Sequence, residues 1–288
     1  MKIPIVTELV DEVIREQAEQ RRKSRGSYEH HHNPSSASSM DAMNGNKIDG
    51  ACLRQQYYKA TNVPPSEPVK PKGQLNMDFG NAIHDKYAHY IKKIPGYFAM
   101  DEVPMKASVE FLKKKISLRV DGLLVPMDTG IVEGGIEIKT CKSDAISSQH
   151  WGLKKKGPKL DHLLQVITYF GTNPHLKWFS LIYLARDTSD RIEFHIVKNG
   201  DAYWWRFAGE PKNKSRKIEG TSFDHIRGRW VVLEGHLEKG FPPPRDYNVF
   251  LNKDGKVQKT KTVGGETKKS HFRCLYCDYL TYCWEKDK

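Results

Sequence analysis

The sequence predicts an α/β fold with a central mixed β-sheet flanked by helices, and three observations carry that expectation. Residues 78–93 repeat apolar side chains at helical spacing, with Phe79, Ile83, Tyr87, Tyr90 and Ile91 on or near one face before Pro95-Gly96 stops the run. The period then falls to two. Ile116, Leu118 and Val120 alternate with Ser117, Arg119 and Asp121, and Val132, Ile136 and Ile138 alternate with Glu133, Glu137 and Lys139. Beyond these strands the pattern returns to helix, strands and helix.

Taken in order, residues 3–23 read as a surface helix with Ile5, Leu9 and Val13 on one side and a charged end. Residues 26–46 shift to Ser, His, Asn and Gly, which reads as a loop or mobile arm. His30-His31-His32 lies within it without a Cys or carboxylate at ligand spacing, so no metal site is placed there. Residues 48–60 read as a helix carrying Cys52, and Pro64, Pro65, Pro68 and Pro71 make a stiff connector. The strands at 116–125 and 131–140 form a hairpin through 126–130. A helix at 160–170, strands at 178–184 and 191–197, and a long helix at 223–239 follow, before Pro242-Pro243-Pro244. A last hairpin is expected around Asn252-Lys253-Asp254-Gly255, ahead of a Lys-rich loop and a cysteine-containing tail. The domain reading is an arm over 1–47 and one domain over 48–288, with a basic hairpin insertion at about 245–270.

Charge and cysteine usage narrow the function classes. The 288 residues carry 47 Lys+Arg against 35 Asp+Glu, a net charge of +12, which attracts polyphosphates. No stretch approaches the ~18 consecutive apolar residues of a membrane span, and Glu8, Asp11 and Glu12 interrupt the first apolar run, unlike a secretory signal. The expectation is a cytoplasmic protein, or one of the host-cell cytoplasm if the source is viral, with no membrane partner. Five cysteines are too few for a disulfide scaffold.

Glu137 and Lys139 project from one strand face about 6.6 Å apart along the chain, and Asp121 lies on the same polar face of the partner strand. Carboxylates so placed can hold Mg²⁺ or Mn²⁺ while an ammonium orients a water or stabilises charge on a phosphoryl group, although alternating polar residues also mark a solvated face. Gly80 with His84, and Gln165 with Tyr169, are i, i+4 pairs, so two helices could each present a polar group to one site.

The ordered set Gly80-xxx-His84, Arg119-Val120-Asp121-Gly122, Glu137-Ile138-Lys139-Thr140 and Gln165-xxx-Tyr169 resembles the RecB-like branch of the PD-(D/E)XK nuclease superfamily, over roughly residues 48–284. The resemblance implies a restriction-endonuclease-like core and a metal set of His84, Asp121, Glu137 and Ile138. Lys139 is then catalytic with Asp121 and Glu137, and Gln165 and Tyr169 line the site. The implied activity is metal-dependent DNA cleavage, as an exonuclease acting from ends with single-strand preference. A structure-selective endonuclease and a non-catalytic DNA-binding subunit are the alternatives. DNA is the implied partner, with a repair or recombination setting and a helicase or recombination protein as a further partner.

Cys274-Leu-Tyr-Cys277 followed by Cys283 has ligand spacing, since a CxxC brings two thiolates to one metal. A local fourth ligand is missing, and the residues alone leave a four-cysteine zinc site open. With Cys52 as a distant first cysteine, the pattern is similar to iron–sulfur RecB-like nucleases of the AddB type and to CRISPR-associated RecB-like exonucleases. That resemblance implies a [4Fe-4S] cluster on Cys52, Cys274, Cys277 and Cys283. Cys141 reads as a free thiol. Candidate nucleic-acid contacts are Lys154, Lys155, Lys156 and Lys159 between the Glu137 strand and the Gln165 helix, and Lys253, Lys256, Lys259, Lys261, Lys268 and Lys269 in the basic hairpin. Trp151 and Tyr203-Trp204-Trp205 could stack on bases or fill the core.

Overall fold

The computed structural model describes residues 6–24, 31–41, 47–252, 257–258, 260–263 and 266–285. In chain order the elements are α1 (Val6–Ser24), β1 (Ser38–Asp41), β2 (Lys47–Gly50), α2 (Leu53–Ala60), α3 (Pro71–Ile91), β3 (Tyr97–Ala107), β4 (Ile116–Pro126) and β5 (Gly134–Cys141). The short α4 (Ser143–Ser147) and α5 (Leu153–Lys156) precede α6 (Leu160–Thr172), β6 (Trp178–Ala185), β7 (Arg191–Asn199), β8 (Ala202–Phe207), β9 (Arg216–Lys217) and α7 (Phe223–Lys239). The last elements are β10 (Phe250–Leu251), β11 (Val257–Gln258), β12 (Thr260–Val263), β13 (Glu266–Lys269), α8 (Phe272–Leu275) and α9 (Leu280–Glu285). The chain divides into two units: a sheet unit of residues 31–50 and 76–231, and a cysteine unit drawn from residues 1–30, 51–75 and 232–288.

The sheet unit is mixed α/β. Seven strands run in the order β3-β4-β5-β6-β7-β8-β9, antiparallel throughout except where β5 lies parallel to β6. A parallel pair needs a crossover, and α6 supplies it. α6 is apolar nearly all round because it is covered twice. Its Tyr169 stacks on Phe179 at 5.3 Å, and its Phe170 meets Phe179 and Tyr203. Its other side lies under the β1–β2 hairpin, where a Cβ on Gly50 would come 3.0 Å from Leu164. On the opposite sheet face Ile83, Tyr87 and Ile91 of α3 pack on Leu124, Ile136, Ile138, Ile182 and Leu184.

The expected helix over 48–60 is instead a strand, β2, followed by a helix that starts at Leu53. Gly50 has φ +98°, and its backbone lies so close to Ala37 and Ser38 that a Cβ there would sit 2.3 Å from the Ala37 carbonyl oxygen. Residues 31–41 are not a mobile arm. His32 exchanges main-chain hydrogen bonds with Lys115 and Ser117 and its ring stacks on Trp230 at 5.0 Å, while β1 pairs with β2. α3 begins at Pro71 rather than 78, since proline suits a first helical turn, where its missing N–H costs nothing. β3 and β8 have no counterpart in the sequence reading. β3 is an edge strand and therefore tolerates Pro104, and its ladder with β4 passes over Glu102, whose φ is +46°. The hairpin expected at 252–255 is flanked by the antiparallel pair β10–β11. Lys253, Lys256, Lys259 and His30 lie outside the described residues.

Candidate active site and cysteine cavity

The middle of the sheet unit holds the polar residues that the sequence singles out. β4 carries Asp121, β5 carries Glu137 and Lys139, α6 carries Gln165 and Tyr169, and α3 carries His84. The polar face of β5 is not solvated. It turns under α6, so Glu137 is 1% exposed and Gln165 8%.

A continuous hydrogen-bond network results. Lys139 Nζ donates to Glu137 Oε1 at 2.5 Å and to Gln165 Oε1 at 2.9 Å. Gln165 Nε2 donates to the same Glu137 oxygen and to the Tyr169 hydroxyl, both at 2.8 Å, and that hydroxyl donates to the Arg119 carbonyl at 3.0 Å. Asp121 Oδ2 accepts from the Ile138 N–H at 2.7 Å, and Asp121 Oδ1 lies 3.6 Å from His84 Nδ1. The Ile138 side chain is buried among apolar residues of the opposite face, so only its main chain reaches the site. Gly80 lets α3 approach β5: a Cβ there would lie 3.2 Å from Thr140 Oγ1, so the glycine one turn before His84 sets how near the imidazole comes to Asp121. Thr140, quoted in the Glu137-Ile138-Lys139-Thr140 run without a role, is the residue that Gly80 approaches.

One atom in this network is left out. Glu137 Oε2 is buried and makes no hydrogen bond among the described residues, an expensive position for a carboxylate oxygen. Burial pushes the Glu137 carboxyl up to about 7, with the Asp121 charge adding to the shift and Lys139 opposing it. The Tyr169 hydroxyl is raised well above its ordinary value, first by burial and then by the Glu137 charge, so it stays a donor. Among the described residues no three His, Cys, Asp or Glu side chains are arranged to hold a metal ion. Here Glu137 Oε1 is taken by Lys139 and Gln165, and Oε2 is the carboxylate oxygen still available.

Of the candidate nucleic-acid contacts, Lys154, Lys155 and Lys156 are exposed on α5, and Lys159 is exposed just before α6. Lys268 and Lys269 are exposed on β13. Trp151 is 59% exposed, whereas Tyr203 is buried and Trp205 packs edge-on against Phe194.

In the cysteine unit Cys52, Cys274, Cys277 and Cys283 line one cavity of about 290 Å³. Cys52 sits at the N-cap of α2 without a side-chain cap hydrogen bond, and burial, with the Asp246 charge, raises its thiol pKa. The Tyr279 N–H donates to Cys277 Sγ at 3.5 Å, and Arg54 Nη1 reaches Cys283 Sγ at 3.9 Å. Burial, together with Cys52, Cys277 and Cys283, pushes the Cys274 thiol up to about 12, and burial pushes Cys277 to about 11. Four thiols therefore crowd a space in which, without a cation, their ionised forms repel. Cys141 belongs to neither site; it is buried on β5 and burial raises its pKa.

No family model and no curated protein matches the chain. Among solved structures it is similar to SSO0001, at 17% identity and TM-score 0.47 over 98% of this chain and 99% of that one. It is also similar to LHK-Exo in complex with dAMP, at 13% identity and TM-score 0.42 over 73% and 89% of the two chains. A third likeness is to an alkaline exonuclease (LHK-Exo) from Laribacter hongkongensis, at 12% identity and TM-score 0.40 over 65% and 78%. The functional reading rests on the side chains described above.

Proposed function

We propose that this chain is a divalent-metal-dependent deoxyribonuclease of the RecB-like PD-(D/E)XK kind, hydrolysing phosphodiester bonds from DNA ends, with residues 48–288 as its nuclease domain. The carrying observation is Glu137 Oε2, a buried oxygen without a hydrogen-bond partner among the described residues, beside Asp121 and Lys139. A cation is the partner that such an atom lacks.

Asp121, Glu137 and His84, with the Ile138 main chain, would hold Mn²⁺ or Mg²⁺. The ion, when bound, supplies positive charge to the phosphoryl group and activates a water. The chain's own groups do the rest. Lys139 has three N–H donors and spends two on Glu137 and Gln165, which leaves one for a water or a phosphoryl oxygen. Gln165 and Tyr169 hold Lys139 and Glu137 in place, so little reorganisation accompanies the reaction. In hydrolysis the water oxygen bonds to phosphorus, one P–O ester bond breaks, and the departing alkoxide takes up a proton. The lysines of α5 suit phosphate contacts of low sequence specificity.

The reading extends to a [4Fe-4S] cluster on Cys52, Cys274, Cys277 and Cys283, supported by the four sulfurs lining one cavity. A four-cysteine zinc site is the competing occupant. Anaerobically purified protein is expected to be brown, with iron and acid-labile sulfide; colourless protein with stoichiometric zinc contradicts this.

The test of function is cleavage of end-labelled single-stranded and duplex DNA with Mn²⁺ or Mg²⁺. Stepwise shortening from an end supports the exonuclease reading, and cutting of covalently closed single-stranded circles replaces it with an endonuclease. No cleavage of any form favours a DNA-binding subunit of a repair or recombination complex.

A further inference from the structure

The face of the sheet covered by α3 is not covered over its whole width. Where β6, β7 and β8 run side by side, the register sets Trp178, Val197 and Trp204 in one row and Ser180, His195 and Arg206 in the next. Trp178, Val197, Trp204, His195 and Arg206 of these rows line a groove of about 790 Å³ together with Lys177 and with Lys212 of the following turn, while Ser180 is buried and, like His195, is bonded to Glu193. No carboxylate lines it. Lys177 is shared with Glu133, but neither Arg206 nor Lys212 has an acidic partner among the described residues, and Arg206 Nε is buried without a hydrogen bond.

The two indoles stand two strands apart, about 9.6 Å by sheet spacing, with Val197 between them. Trp178 is seated firmly. It packs on the apolar cluster under α3, and its ring lies so near the Gly134 backbone that a Cβ there would be 2.0 Å from it. A seated indole with a second one two strands away, and with Arg206 and Lys212 beside them while Lys177 and His195 are paired with Glu133 and Glu193, is the composition of a stacking platform for unpaired bases. A duplex hides its base faces within its own stack, so it could use the cations but not the indoles. The groove lies on the sheet face opposite Glu137 and Lys139, so it is separate from the candidate active site.

We infer that this groove is a second nucleic-acid site that binds a single strand through base stacking on Trp178 and Trp204 and phosphate contacts to Arg206 and Lys212. The inference goes beyond the nuclease reading and does not depend on cleavage.

The test is anisotropy of a labelled oligo-dT with the full chain in EDTA, across a salt series. R206Q with K212Q is expected to weaken binding tenfold or more and to lower the salt slope by about two. W204L is expected to weaken binding roughly tenfold for oligo-dT but to leave an abasic oligomer of the same length unaffected. Should W204L fail to fold, K212Q alone still reads the slope, because Lys212 is exposed. Both effects are expected to persist in an Asp121→Ala background, which separates this site from catalysis. Wild-type affinity and slope in the charge variants overturn the inference, as does displacement of the whole oligomer by equimolar dTMP, which would make the groove a mononucleotide pocket.

Discussion

The candidate active site and the cysteine cavity both gather metal-seeking side chains, yet they are held in opposite ways. Around Glu137 a seven-stranded sheet and a doubly covered helix fix the geometry, and the hydrogen-bond network is complete except for one oxygen. Around the cysteines the scaffold is slight: α8 and α9 are a turn or so long, β10 and β11 are two residues each, and the four thiols repel once ionised. The first site is organised by protein contacts alone. With the proposed cluster bound, the second would draw its organisation from ligation, which then becomes folding free energy.

The largest effect expected from this contrast is in the cysteine unit. Cys274→Ser or Cys277→Ser should remove iron and destabilise that unit on the roughly 10 kcal/mol scale of a structural metal site. Limited proteolysis should then cut within residues 51–75 and 232–288 while peptides of the sheet unit survive. Equal protease resistance in both units would show that the cavity is structurally self-sufficient.

Next come the catalytic changes. Asp121→Ala and Lys139→Ala should each lower cleavage by at least about 10²–10³-fold with unchanged circular dichroism, Lys139→Ala also melting lower because it leaves the buried Glu137 carboxyl without its cation. Loss of folding in either would instead make the network structural.

Glu137 gives a smaller effect with a defined pH sign. Its carboxyl titrates near 7 in the fold, above its unfolded value, so between the two the folded state binds more protons and stability falls as pH rises. Glu137→Gln lacks that slope. In EDTA it should match wild type near pH 4 and be more stable by up to about 3 kcal/mol at pH 8, read from denaturant midpoints. Parallel curves for the two proteins would mean that Oε2 is satisfied in solution.

The smallest effect concerns positioning. Gly80→Ala places a methyl 3.2 Å from Thr140 Oγ1 and should weaken Mn²⁺ activation a few-fold by shifting His84, raising the metal concentration needed more than it lowers the rate. Thr140→Ala in the same chain should restore it. If the double variant stays impaired, the glycine serves some other purpose.

How much of this the sequence discloses follows from what each residue's neighbours reveal. The β4–β5 hairpin is legible because its apolar period is regular, and α6 because its apolar run is too long for a typical strand. β3 is not, because Pro104 and the positive φ of Glu102 break the strand pattern at an edge where the sheet tolerates both. β8 is not, because aromatic residues on both faces leave no alternation to read. The gathering of His84, Asp121, Glu137, Lys139, Gln165 and Tyr169 in one unit follows the motif order, but the direct Gln165 bridge between Lys139 and Glu137 does not, since spacing states a shared face and no partner. The burial of Glu137 was hidden for a physical reason: a polar residue at period two reads as solvent-facing, and only the helix packed above reverses it. The groove at Trp178 and Trp204 was hidden because its two indoles come from strands that are separated in the chain.

The central claim is that Glu137 completes a metal-dependent phosphodiester-cleaving site, and its most direct measurement is the Mn²⁺ dependence of end-labelled single-strand cleavage by wild type and Glu137→Ala side by side. The expected result is stepwise shortening by wild type that EDTA abolishes, with no product from the variant at any Mn²⁺ concentration. Equal cleavage by the two proteins, or wild-type cleavage that persists in EDTA, would contradict it.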